Sequence, residues 1–476
     1  MSFTLSLTDE QVALREKTQR FAREVIRPAA PEYDRAQEFP WPVLEQAAEV
    51  GLYDWQLYAE LSVDPTGLSL PILMEELFWG CAGIGLSIVM PALALAAIRQ
   101  AATDEQLVRW APECFGTPGE LKCAALAVTE PSGGSDVRSI QTSARKDGGD
   151  WVIDGQKVFI GNGGIADVHV VNATVDPEIG HRGQALFIVP KGAPGLHLER
   201  KLEKLGCRAS HTAELRFEGC RVPADHLLGG DERLEEKLER EREAVAEEAR
   251  DGASRGRGDG GSATLGTFEQ TRPMVAAQAL GIARAALEFA VGYAAEREAF
   301  GEPIIEKEGI SFPLADLAAE LDAARLLTWR ASWMAAQRIP FHHAEGSMSK
   351  LRASEVAVRI TERAVQVCGG WGYIRDLPVE KWFRDAKLYT IFEGTSEIQR
   401  LVIGRALAAN VGEDPLHHAT PTEGSELGAA IGRGSPLRSQ VGQRAIRAAQ
   451  AVPPPLMKLA MVFVGPPKRA PRKEKS

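Results

Sequence analysis

Apolar residues along the chain follow three different rhythms. From Thr8 to about Leu121 they recur at helical spacing, beginning with Leu14, Phe21 and Val25. Thr8 followed by Gln11 predicts a helix start closed by a capping box. Pro28 and Pro31 predict the end of that helix. A second helix is predicted from near Pro42, and a third carries Glu75 and Glu76. The apolar stretch Ile84 to Ile98 contains Pro91 and is short for a bilayer span, so it predicts a buried helix.

From about Cys123 to Val222 the rhythm shortens. Runs rich in β-formers appear at Trp151–Ile153, Lys157–Ile160, His169–Val171, Ala185–Val189 and Glu214–Phe217. Turn residues separate them: Asp147-Gly148-Gly149, Asp154-Gly155, Gly161 to Gly164, and Pro194-Gly195. Short, regularly punctuated strands predict a β-barrel or sandwich. From about Thr264 to Asn410 the helical rhythm returns, and Leu314 to Ala336 predicts one member of a helical bundle.

Two segments fall outside this plan. Asp231 to about Gly260 begins as a charged, solvated helix with pairs such as Glu236 and Arg240, and ends as a Gly/Arg/Ser linker. The tail from Glu413 to Ser476 is rich in Gly, Pro and Arg and predicts little order. Its apolar island Leu456–Val464 precedes Lys468, Arg469, Arg472, Lys473 and Lys475. Such a pair of patches suits weak contact with an anionic membrane or a partner, or packing on this chain or a neighbouring subunit. The expected domains are 1–122 helical, 123–228 β, 229–261 a charged insertion, 262–412 helical and 413–476 a flexible tail.

With 476 residues, 44% hydrophobic and 25% charged, the composition is that of a multidomain soluble protein. A net charge of -10 argues against nucleic-acid binding. The N-terminus resembles neither a secretory signal nor a transit peptide, and six cysteines without a CxxC pair predict reduced thiols in the cytoplasm. The pairs His342-His343 and His417-His418 lack metal-ligand spacing, so no metal is expected.

Candidate chemistry clusters at four places. Ala127–Asp136 (AVTEPSGGSD) is a small-residue loop whose backbone N–H groups and hydroxyls suit a phosphate or a flat ring; a plain tight turn is the alternative. It is neither a Walker A loop nor a GxGxxG fingerprint. Asp154–Gly163 adds an aromatic strand end, suited to a planar cofactor unless Phe159 fills the core. Gln366–Tyr373 interrupts a helix with three glycines. In Leu388–Gln399 one carboxylate, Glu393, stands against Gly394 in an otherwise apolar stretch. A desolvated Glu has the raised pKa of a general base, although a Glu-Gly pair also serves as a plain helix end.

In order and wording these blocks resemble the flavin-dependent acyl-CoA dehydrogenases. The matching stretches are AVTEPSGGSD, DGQKVFIGNGG, KLGCRASHTAELRFEGCRVP, TRPMVAAQALGIARAALEFAVGYAAEREAFG, QVCGGWGYIRD and RDAKLYTIFEGTSEIQRLVIGRAL, within about Leu5 to Asn410. The resemblance implies an α+β multidomain fold: an N-terminal helical domain, a central β-barrel and a C-terminal four-helix bundle. It also implies FAD, an acyl-CoA substrate, an electron-transfer flavoprotein as acceptor, and a homotetramer.

Carried onto this sequence, the resemblance makes Glu393 the base that removes the α-proton of an acyl thioester. The thioester carbonyl would be held by the Glu393 N–H and a flavin ribityl hydroxyl, with Gly394 beside the substrate. Val128, Thr129 and Ser135 would contact FAD, with Ser135 also near the CoA arm. Phe159, Ile160 and Gly161 would flank the isoalloxazine. Arg297, Phe300, Gln366, Gly369 and Gly370 would hold the FAD of a neighbouring subunit, and Thr395, Ser396 and Glu397 would follow the base along FAD. Arg272 and Arg405 would lie near the CoA portion. Some members carry the base where Thr271 stands here; Thr cannot serve, and Glu269 is two residues out of phase.

Gly161 stands where Ser or Thr is usual, Phe159 where Trp is common, and Phe392 where Tyr is common. These departures leave open a carrier-protein thioester dehydrogenase or a flavin oxidase or monooxygenase on the same fold, and, in another class, a flavin-binding scaffold without turnover. Acyl length and branching would be set by a pocket floor near Glu75 to Ile98.

Overall fold

The computed structural model describes residues 5–250 and 263–411, the side chains of Ala249 and 263–270 excepted. The predicted linker 254–261, the tail 413–476 with its apolar island, and the Glu269 side chain lie outside the described residues.

The N-terminal region contains α1 (Asp9–Phe21), α2 (Arg27–Ala36), α3 (Trp41–Glu49), α4 (Trp55–Leu61), α5 (Ser69–Gly80), α6 (Ala82–Ala101) and α7 (Asp104–Trp110). Thr8 and Gln11 close the predicted capping box. Pro28 and Pro31 do not end the first helix. A π-turn over Ala22–Ile26 joins α1 to α2, and the helix runs on to Ala36. The π-turn resets the hydrogen-bond register, so Pro28 falls in the first turn of a new segment, where its missing N–H is harmless. Helix α6 is the predicted apolar helix. By length and composition it and Thr271–Glu296 could each cross a membrane, but 72% of each apolar window is buried inside the protein, as core helices are.

The middle region follows a short hairpin of β1 (Gly116–Thr117) and β2 (Glu120–Leu121). It is one curled seven-stranded sheet: β3 (Ala124–Ala127), β4 (Ser143–Asp147), β5 (Asp150–Gly161), β6 (Val168–Thr174), β7 (Gln184–Pro190), β8 (Leu196–Lys201) and β9 (Thr212–Pro223). The path runs β3-β6-β4-β5-β9-β8, with β7 also on β6. The turn expected at Asp154-Gly155 is instead an irregularity inside β5. The register against β9 shifts between Ile153 and Gly155 and again between Lys157 and Ile160. Gly155 passes so close to Thr142 that a Cβ there would meet its backbone at 2.7 Å, which explains a glycine inside a strand.

The predicted charged helix is α8 (Gly230–Arg250). It lies on the outside of the sheet through Arg182–Glu248 and Arg242–Asp176 ion pairs, each 2.7 Å. The C-terminal region packs α9 (Ala263–Glu296), α10 (Glu308–Ala336), α11 (Glu345–Cys368), α12 (Val379–Lys387) and α13 (Ser396–Ala409). A small hairpin, β10 (Glu298–Ala299) and β11 (Glu302–Pro303), links α9 to α10.

Three connections fix the regions to one another. Buried Glu75 and Glu76 of α5 pair with Arg284 of α9 and Arg325 of α10. The Cys207 N–H donates to Asp385 Oδ1 of α12 at 2.6 Å. Gly206 presses on the Arg384 backbone, where a Cβ would come within 2.5 Å. The middle region is thereby anchored to α12, the helix that leads into the Glu393 turn.

Candidate active site

Helix α12 ends in a single 3-10 turn over Leu388–Thr390, and α13 begins at Ser396. Between them Glu393 has φ 53° and Gly394 φ 89°. Left-handed backbone is rare outside glycine. Of the eight non-glycine residues with positive φ among the described residues, three were expected at the site: Phe159, Phe300 and Glu393. Strained backbone concentrates where function over-determines geometry.

Specific donors hold this turn. The Gly394 carbonyl accepts from Lys350 Nζ at 2.6 Å and from Gln399 Nε2 at 2.8 Å. Gln399 Nε2 also reaches the Glu393 carbonyl at 3.3 Å. Thr395 caps α13, its hydroxyl accepting the Ile398 N–H at 3.2 Å. At φ 89° a side chain on residue 394 would be strained, and its Cβ would meet Gln399 Nε2 at 2.6 Å, which favours glycine beside Glu393. The Glu393 N–H makes no hydrogen bond among the described residues.

The charges around the turn oppose one another. Burial pushes the Glu393 carboxyl above its ordinary range, against the pull of Lys350 and Arg272. Burial pushes Lys350 down to about 8 and Arg272 down to about 10, in both cases against the attraction of Glu393. Arg272 donates to Ser347 Oγ at 2.5 Å. Arg272, expected near the CoA portion, is buried close to the Glu393 turn: a Cβ on Gly394 would be 3.8 Å from its Nη2. A carboxylate raised by desolvation yet kept ionisable by nearby cations has the character of a general base.

The sheet presents the second part of the site. Val128 is buried, Thr129 partly buried, and Ser135 exposed on the loop after β3. That loop rests on a fully buried ion pair, Lys157 Nζ to Glu130 Oε1 at 2.8 Å. Lys157 also donates to the Val128 carbonyl at 3.0 Å, and Glu130 accepts the N–H groups of Gln141 and Thr142. Phe159 does not fill the core. It projects from the second irregularity of β5, 67% exposed. Ile160 does enter the core, so only its backbone can face a ligand. At Gly161 a Cβ would meet the Met90 thioether of α6 at 2.9 Å.

The remaining expected residues stand on the surface of the single chain. Arg297, Gln366, Gly369, Gly370, Glu397 and Arg405 are exposed, and Phe300 is 96% exposed on the β10–β11 hairpin. Ser396 is the exception: its hydroxyl is buried and has no hydrogen-bond partner among the described residues.

Lys350, Gln399 and the Glu130–Lys157 pair escaped the sequence reading. Lys350 sits among small polar residues in SMSKLRAS and reads as a solvated helix lysine. Gln399 was visible only as a helix position, three residues after Ser396. Glu130 and Lys157 both occur in quoted motifs, but no spacing rule pairs residues 27 apart.

Family profiles for the acyl-CoA dehydrogenase N-terminal, middle and C-terminal domains match residues 8–116, 125–220 and 258–408. The chain belongs to the acyl-CoA dehydrogenase family. Its members are FAD-dependent oxidoreductases acting on acyl-CoA. The chain is 39% identical over 402 residues to the mitochondrial short-chain specific acyl-CoA dehydrogenase of Bos taurus, covering 84% of this chain and 90% of the relative. The structure of butyryl-CoA dehydrogenase from Megasphaera elsdenii is similar at a TM-score of 0.73 and 32% identity, covering 86% of this chain and 100% of that one. A chain from a structural study of an electron transferring flavoprotein of Acidaminococcus fermentans matches at a TM-score of 0.72 and 33% identity, covering 85% and 99%.

Proposed function

We propose that this acyl-CoA dehydrogenase oxidises an acyl-CoA thioester to the trans-2-enoyl-CoA with Glu393 as the α-proton base. One observation carries the assignment of the base: a desolvated carboxylate on a left-handed turn, flanked by two buried cations. Glu393 takes the α-proton, and the C–H electron pair moves toward the thioester. The Glu393 N–H, which makes no hydrogen bond among the described residues, would donate to the thioester oxygen as negative charge grows there. FAD, when bound, would supply the two-electron acceptor for the hydride that leaves the β-carbon. Thr271 stands where another base could be, and it cannot ionise in the working range.

The residues present fit FAD. Ser396 has a buried, unpartnered hydroxyl, and the open loop at Gly133 has free space where a Cβ would stand. Exposed Phe159 offers a ring face near Thr129, whose carbonyl takes the Val158 N–H at 2.9 Å. Val128, Thr129, Ser135, Phe159, Gly161, Thr395, Ser396 and Glu397 would hold the cofactor. Arg405, exposed on α13, would meet CoA phosphate. The exposed Phe300, with Arg297, Gln366, Gly369 and Gly370, would reach the FAD of a second copy in a homotetramer. An electron-transfer flavoprotein as acceptor follows from the family resemblance. A cytoplasmic location agrees with six free, buried cysteines.

Anaerobic titration of the FAD-loaded enzyme with a panel of acyl-CoAs tests the reading. At least one chain length should bleach the flavin; bleaching by none of them contradicts it.

A further inference from the structure

Lys350 is fully buried on α11 and forms no ion pair among the described residues. Its hydrogen bond goes to a neutral acceptor, the Gly394 carbonyl, at 2.6 Å. Gln399 already donates to that carbonyl at 2.8 Å. A second donor is not needed to satisfy it, and a buried ammonium without a bonded anion is costly. Methionine would fill the same volume without that cost. What methionine could not supply is charge. The charged groups facing Lys350 are Glu393 on the turn, Arg272 on α9 and Glu397 on α13.

We propose that Lys350 is a positioning residue for Glu393. Its ammonium fixes the left-handed turn through the Gly394 carbonyl and sets a positive charge beside the carboxylate, holding the base ionised before substrate enters. The proposal rests on the reading of Glu393 as the base. Burial drives Glu393 toward its neutral form, and Lys350 opposes that more strongly than Arg272 does. Burial likewise drives Lys350 toward its neutral form, and Glu393 opposes that, so each group favours the charged form of the other.

The test measures anaerobic flavin bleaching by butyryl-CoA against pH in the FAD-loaded wild type, Lys350→Met, Lys350→Gln and Lys350→Arg. An infrared pH titration follows the carboxyl band that Glu393→Gln removes. Loss of the cation should move the acid limb and the band midpoint upward by about one pH unit or more in the Met and Gln variants. Below that limb, bleaching should slow about tenfold for each pH unit the limb moves, while butyryl-CoA affinity stays within about threefold. Lys350→Arg should keep the wild-type limb. The Gln variant retains a donor, so it carries the test if Lys350→Met does not fold. An unmoved limb and band in both neutral variants overturn the proposal even if the rate falls. An equal upward movement in Lys350→Arg overturns it as well. Persistent bleaching by Glu393→Gln contradicts the base assignment instead, and the infrared titration separates that failure from this one.

Discussion

Among the described residues two lysines are completely enclosed, one in the sheet and one in the helical region, and burial pushes both down to about 8. Their surroundings differ. Lys157 bonds a carboxylate, Glu130, which in turn accepts two backbone N–H groups. Burial raises the Glu130 carboxyl, and Lys157 and these donors more than reverse the effect, leaving it below the usual carboxylate range. Every charge there is answered, and the loop after β3 is locked. Lys350 bonds only a carbonyl, and the nearby Glu393 is held above its usual range. A closed network gives rigidity, and an incompletely answered one keeps a carboxylate available to take a proton.

The sharpest way to break this comparison is to remove each lysine in turn. Lys157→Met leaves a buried carboxylate unpaired and should destabilise the protein by about 3–5 kcal/mol, read from denaturant midpoints. Lys350→Met should cost far less stability and act mainly on rate. Equal stability losses would erase the distinction.

Acid should find the sheet first. His169 is fully buried, with Nε2 accepting the Gly164 N–H at 3.1 Å and Nδ1 3.2 Å from the Val189 carbonyl. Burial lowers its pKa to about 4. The unfolded chain takes up this proton near pH 6.5, so stability is full above that pH and falls as the pH drops toward 4. The loss should approach roughly 3 kcal/mol, since each pH unit between the two values is worth about 1.4 kcal/mol. His169→Gln should flatten this slope in urea melts at pH 4 to 7. An unchanged slope would remove His169 from the account.

The smallest effect is expected at Gly161. A Cβ there meets the far end of the Met90 side chain, which can swing away. Gly161→Ser should therefore change stability by less than about 1 kcal/mol. A larger loss would mean that Met90 is held rigidly in front of the cofactor site.

Much of the fold was legible because it rests on local rules. The capping box at Thr8, the buried helix around Pro91, the charged helix after Asp231 and the Asp147–Gly149 turn all rest on neighbouring residues. Glu393 stood out because a carboxylate beside a glycine directly follows the apolar Ile391-Phe392. The misread elements depended on non-local contacts. A π-turn rescued Pro28, and Thr142, from another strand's approach, made Gly155 a bulge rather than a turn. Lys350 was invisible for the same reason: only folding brings α11 beside residue 394 and sets an ordinary lysine against the Glu393 turn.

The central claim is that the incompletely answered charge on the Glu393 turn performs the chemistry. Single-turnover anaerobic bleaching of FAD-loaded Glu393→Gln by the best acyl-CoA tests it most directly. The variant should keep its FAD and its thermal midpoint and lose bleaching by a factor of about 10³ or more. Bleaching near the wild-type rate would contradict the account.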